Sequence, residues 1–205
     1  MTTLLKIDAS ARHKGSHSRE VAEHFTQQWQ AAHPQGEVIV RDLVDTPLPH
    51  ISEQTIGGFF SPEPTSEQLT ATALSDELIG EIMAADVIVI SAPMYNFSLP
   101  SSLKAWIDQV ARIGKTFSFD PEAGFGGLVA DKQVYLVTAT GAVFSEPGMS
   151  DMDHMTGYLK FILGFLGMSV TQHWSIEGAS MSEDILNTCK QTARTDINQL
   201  WSTTA

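Results

Sequence analysis

The sequence predicts an α/β fold: a doubly wound, five-stranded parallel sheet with helices on both faces. Three observations carry this. Short runs rich in β-branched residues alternate with longer stretches of helical periodicity, giving the order βαβαβαβαβα. One run, Asp86–Ala92, is almost wholly apolar, as a strand covered on both faces must be. The composition is globular, with 42% hydrophobic and 18% charged residues in 205. That length suits one domain spanning 1–205, able to bury its core without disulfides or a structural metal.

The elements follow in order. Thr3–Ala9 reads as the first strand. Ser18–His33 places Val21, Phe25 and Trp29 four residues apart on one helical stripe, and Pro34 and Gly36 stop it. Glu37–Leu43 is the second strand. Thr46–Pro64, with four prolines, two adjacent glycines and the exposed-looking pair Phe59 and Phe60, reads as an irregular excursion, longer than most loops of compact domains and of the kind that is usually functional. A helix over Ser66–Ala85 leads into the third strand, Asp86–Ala92, and a helix over Ser101–Gly114 follows it. Lys132–Thr138 is the fourth strand, Met152–Gly167 an apolar helix, Val170–Ile176 the fifth strand and Ser182–Trp201 the closing helix. In such sheets ligands bind beyond the carboxyl ends of the strands, which directs attention to the loops after strands one, three and four.

The net charge is −12, from 12 basic and 24 acidic residues, and this disfavours a broad nucleic-acid surface. No apolar run approaches the length of a membrane helix. The start MTTLLKID lacks a basic region followed by a long apolar stretch, so secretion by that route is not expected. A single cysteine fits the reducing cytoplasm.

The loop after strand one carries Ser10, Ser16, Ser18 and a lone Gly15. It lacks both GxGxxG and GxxxxGK[ST], so neither the dinucleotide fingerprint nor a P-loop is present. Free N–H groups at the following helix still suit a phosphate. Arg12, Lys14 and Arg19 lie within eight positions, three of the twelve basic residues. Two readings stand: a phosphate cradle, or an N-cap at Ser18 beside solvated bases. The third strand runs into Pro93-Met94-Tyr95-Asn96-Phe97, which combines flat apolar walls with a donor and an acceptor on Asn96, the combination a planar amphipathic ligand needs.

PMYNF followed by SxLKxWxDxVxRxGxTF, with the serine loop at Ser10–Ser18, resembles the FMN-dependent NADH azoreductase / NADH:quinone oxidoreductase family over nearly the whole chain. The resemblance implies a flavodoxin-like sheet in the order 2-1-3-4-5. It implies FMN, one per subunit, with its phosphate on Ser10, Ser16, His17 and Ser18 and its ring against Pro93, Met94, Tyr95, Asn96 and Phe97. The loop after strand four would complete the cofactor site with Ala139, Thr140, Gly141 and Ala142. The family usually has Ser-Arg-Gly-Gly there; only Gly141 matches, and the hydroxyl and the arginine charge are gone. The implied activity is a ping-pong transfer of two electrons from NADH to FMN and then to a quinone or azo compound, in a homodimer, with no catalytic side chain. Phe119, and Phe60 from the partner subunit, would shape the substrate slot beside Tyr95 and Phe97. Two other classes stay open: a flavodoxin-type electron carrier and a flavin-free interaction protein.

Other residues read as structural. Asp151, Asp153 and His154 match no metal-ligand spacing, and an Asp there suits a helix start. Cys189 and His173 read as packing residues, His50 as a possible substrate contact, and no G-x-S-x-G elbow is present.

Overall fold

A computed structural model describes residues 2–201. Its elements are β1 (Thr3–Asp8), α1 (His17–Ala32), β2 (Glu37–Asp42), α2 (Glu53–Phe60), α3 (Ser66–Ala84), β3 (Val87–Pro93), α4 (Ser101–Val110), β4 (Phe117–Asp120), β5 (Gly124–Gly127), β6 (Gln133–Ala139), α5 (Thr156–Phe165), β7 (Val170–Ile176) and α6 (Glu183–Leu200). The main sheet is parallel throughout, in the order β2-β1-β3-β6-β7. This is the expected 2-1-3-4-5 arrangement of a flavodoxin-like fold.

Alternation along the strands builds the two faces. Leu5 and Ile7 of β1, Ile88 and Ile90 of β3, and Val134 and Leu136 of β6 pack under α3, α4 and α5. Their neighbours Leu4, Val89, Tyr135 and Val137 pack with Phe25 and Trp29 of α1 and Ile197 of α6. Cys189 is partly buried against this second layer, as a packing residue.

The structure departs from the sequence reading at several places, and the helix read over Ser101–Gly114 ends at Val110. The excursion Thr46–Pro64 is not irregular throughout, because it contains α2, capped by Ser52, whose Oγ accepts the Thr55 N–H at 3.1 Å. Its two glycines are contact points. A Cβ at Gly58 would lie 2.6 Å from Thr72 Cγ2 and 3.1 Å from the Gln68 carbonyl, so glycine there lets α2 lie this close to α3, whereas one at Gly57 would meet only the movable end of the Gln68 side chain, at 2.6 Å. Phe59 is half-buried, its ring 4.8 Å from the Arg112 guanidinium, so of the pair only Phe60 is open to solvent.

The helix read over Met152–Gly167 begins only at Thr156. Asp153 Oδ1 accepts the N–H groups of Met155 and Thr156 at 3.0 and 2.8 Å and so fixes the entry into α5. Lastly, β4 and β5 form an antiparallel hairpin that the sequence reading did not assign. Asp120 Oδ1 closes its turn on the N–H groups of Glu122 and Ala123. Gly127 seats it on the end of α5, where a Cβ would fall 2.2 Å from Gly167 N.

Candidate cofactor cleft at the strand ends

The carboxyl ends of β1, β3 and β6 meet around a cleft of roughly 260 Å³. Nine of the thirteen residues expected to hold a cofactor line it: Ser10, Ser16, His17, Pro93, Met94, Tyr95, Ala139, Thr140 and Gly141. Arg12, Gly15, Ala179 and Ser180 complete the wall. Ser18, Asn96, Phe97 and Ala142 do not line it. Asn96 faces a neighbouring cavity of about 700 Å³ that also receives His50 and His154, and Tyr95 is the wall common to both. Phe60 and Phe119 line neither; both are exposed elsewhere on the surface.

One end of the cleft is the start of α1. Ser16, not Ser18, is its N-cap, with Oγ accepting the Arg19 N–H at 3.4 Å. Ser18 lies one position inside the helix, fully buried, its hydroxyl 3.4 Å from that of Ser16. The N–H groups of His17 and Ser18 open the helix and so lack acceptors within it. Gly15, at φ +71°, makes the left-handed turn that brings the loop to this point. His17 Nδ1 is buried with no hydrogen-bond partner. Burial lowers the pKa of this imidazole, as do Lys190 and Arg12 nearby, against the opposite pull of Glu20. Uncommitted donors at a helix N-terminus, two serine hydroxyls and an orphaned buried imidazole nitrogen make a seat that fits a phosphate.

Of the three clustered cations, Arg19 is not available to a ligand. Burial acts against its charge, but Asp42 and Asp8 outweigh it and raise its pKa. Asp42 in turn is held down to about 2: burial opposes its charge, and the Arg19 pair with the N–H groups of Val44 and Asp45 overcomes this. Among the described residues one trio, His13, Asp42 and Asp45, brings three possible metal ligands together, and Asp42 within it is already bound to Arg19.

The other end is the Tyr95–Ser98 turn. Tyr95 and Ser98 exchange N–H···O bonds at 2.9 and 3.1 Å, and Asn96 and Phe97 between them both have positive φ, 50° and 67°. This is the geometry of a two-residue hairpin turn. Asn tolerates it, whereas for phenylalanine it is strained, and such strain gathers at functional loops. Three contacts hold the turn in place. Tyr95 Oη accepts the Ala11 N–H at 3.2 Å, the Phe97 carbonyl accepts the His154 N–H at 3.1 Å, and the Phe97 ring meets Phe144 edge-on.

The third wall is the loop after β6. Thr140 is buried and its hydroxyl donates to the Ala142 carbonyl at 2.7 Å, so the residue standing in place of the family's arginine is turned back onto its own loop. The segment after β7 packs against it, with Ala179 and Ser180 donating to the carbonyls of Thr140 and Gly141 at 3.0 and 2.9 Å. A Cβ at Gly141 would come within 3.0 Å of Ser180 Oγ. Ala179 and Ser180 were missed by the sequence reading, although the strand-end rule that singled out the other loops also covers the loop after β7.

Fold and cleft together define a protein of the flavodoxin-like class, and the model of the family described by that fold matches residues 2–200. The FMN-dependent NADH:quinone oxidoreductase of Xanthobacter autotrophicus is 49% identical over 171 residues, covering 82% of each chain. That of Herminiimonas arsenicoxydans is 43% identical over 202 residues, covering 98% of each. Among solved structures, an azoreductase from Bacillus anthracis superposes with a TM-score of 0.88 at 30% identity, over 97% of this chain and 99% of that one. The chain belongs to the family of FMN-dependent NADH:quinone oxidoreductases.

Proposed function

We propose that this chain is an FMN-dependent oxidoreductase that passes two electrons from NADH to quinones and to azo compounds. The observation that carries the reading is the single cleft, which joins an anion-accepting helix start to an aromatic loop at the strand ends. The hydroxyls of Ser10 and Ser16, the first N–H groups of α1 and His17 Nδ1 hold the phosphate. Met94 and Tyr95 carry the ring, the strained Asn96-Phe97 turn fixes Tyr95 at the rim, and the backbone of Thr140 and Gly141 passes beside it. Bound there, FMN supplies the two-electron chemistry. The side chains contribute orientation rather than a nucleophile, so no residue is assigned as catalytic.

NADH and the acceptor take turns in one slot beside Tyr95; Phe60 and Phe119 line neither cavity within one chain and would close the slot only from a second copy. Support for a homodimer comes from the aromatic surface of the hairpin and α5. Phe119, Phe125 and Phe161 are all more than half exposed, and ring contacts among Phe119, Phe125, Phe161 and Phe165 make the patch continuous. Among the described residues no helix is long and apolar enough to cross a membrane. The single cysteine supports a cytoplasmic site of action. Initial rates over a grid of NADH and benzoquinone test the shared slot. Parallel double-reciprocal lines are expected; intersecting lines would show that both fit at once.

A further inference from the structure

We propose that Arg19 is the positioning residue that shapes the phosphate seat, and with it the preference for FMN over unphosphorylated flavin, through the geometry of its guanidinium and not through its charge. The proposal rests on the reading of the cleft as an FMN site.

Arg19 holds both ends of the seat. Its side chain donates to the Ser10 carbonyl twice, from Nε at 3.2 Å and from Nη2 at 2.7 Å. Its backbone N–H donates to Ser16 Oγ. Ser10 and Ser16, two of the three serines that line the cleft, are thus bound to one residue. The consequence for those hydroxyls follows from lone pairs and protons. Ser10 Oγ accepts the Arg12 N–H at 3.2 Å, and Ser16 Oγ accepts that of Arg19. Accepting these N–H groups leaves each hydroxyl its own proton, and with Ser18 donating to Ser16 Oγ at 3.4 Å both protons can turn toward the cleft, as an anion requires.

The guanidinium is itself fixed from behind. Nη2 donates to Asp42 Oδ1 at 2.9 Å, Nη1 pairs with Asp42 Oδ2, and Asp8 Oδ2 lies 3.4 Å from Nη1. Asp8 also accepts from Ser91 Oγ of β3, so the arrangement ties α1 to the ends of three strands. Its charge is consumed in doing so. Lys6 sits between Asp8 and Glu23, so the network holds two cations and three carboxylates. Such a network offers a phosphate no net attraction. What it supplies is a planar fork whose nitrogens reach a carbonyl on one side and a carboxylate on the other, which an ammonium cannot reproduce.

Apo-protein titrated with FMN and with riboflavin, followed by quenching of flavin fluorescence, tests this. Riboflavin lacks the phosphate and so reports the ring site alone. For Arg19→Lys, which keeps the charge, FMN affinity is expected to fall by about tenfold or more, the scale of one charge-assisted hydrogen bond. Riboflavin affinity should stay within about twofold. Asp42→Asn is the second variant. If charge mattered, removing a carboxylate near the phosphate would tighten FMN binding; if the fork matters, binding loosens while riboflavin binding holds. An Arg19→Lys protein with wild-type FMN affinity, equal losses for both flavins, or tighter FMN binding by Asp42→Asn would each overturn the proposal. Wild-type protein that binds neither flavin would overturn the cofactor reading itself, and this inference with it.

Discussion

Ser16 and Ser18 stand two residues apart in the same loop, and the structure gives them different work. Ser16→Ala removes the N-cap of α1 and one hydroxyl from the cleft. The cap bond is long, at 3.4 Å, so its loss belongs at the low end of capping energies, about 0.5–1 kcal/mol. For a chain of this size that lowers Tm by roughly 1–4 °C. A hydroxyl donating to a phosphate is worth about 1.5–3 kcal/mol, so FMN affinity should fall roughly ten- to 150-fold. Ser18 is fully buried, and its hydroxyl has a hydrogen-bond partner in the Ser16 hydroxyl, at 3.4 Å. Its replacement by alanine should therefore change FMN affinity less than about threefold. Fluorescence titration of apo-protein with FMN, with melting curves of the same samples, separates the two effects. An equal loss of affinity in Ser18→Ala would refute the assignment of Ser16 to the seat. So would a Ser16→Ala protein with lowered Tm and unchanged affinity.

Two further outcomes follow from the structure. Burial, with Lys160 nearby, pushes His173 down to about 4 against the opposing pull of Asp153, while its Nε2 contacts Thr138 Oγ1 at 2.8 Å. The unfolded chain then binds the extra proton between the ordinary value of about 6.5 and 4, so stability is full above that window and falls by at most about 3 kcal/mol across it. Urea unfolding from pH 7.5 to 4.5 should show the decline, and His173→Gln should reduce it; an unchanged slope in the variant would exclude His173 as its source. For the assembly, sedimentation at micromolar protein should give about 45 kDa, twice the 22.3 kDa of one chain, and a fully active monomer would contradict the dimer.

Much of the fold was legible because it rests on local periodicity. The alternating faces of β1, β3 and β6, and the apolar run of β3, are written directly in the residue types. The loops after β1 and β3 were legible as site because strand ends are where such sheets bind ligands. What escaped depends on contacts between distant residues. The glycines of α2 look like helix breakers until Thr72 and Gln68 are seen against them. Arg19 reads as part of a basic cluster until Asp42, on the neighbouring strand, is found to hold it. The choice between Ser16 and Ser18 as cap turns on backbone geometry that two identical residue types cannot encode. The hairpin at Phe117–Gly127 has a glycine-rich second strand, so strand propensity gave no signal there.

The most direct test of the account is an anaerobic spectrum of the purified protein loaded with FMN. One equivalent of NADH should bleach the visible flavin band, and one equivalent of benzoquinone, added after the nicotinamide has been removed, should restore it. Protein that takes up no FMN, or whose flavin band NADH leaves unchanged, would contradict it.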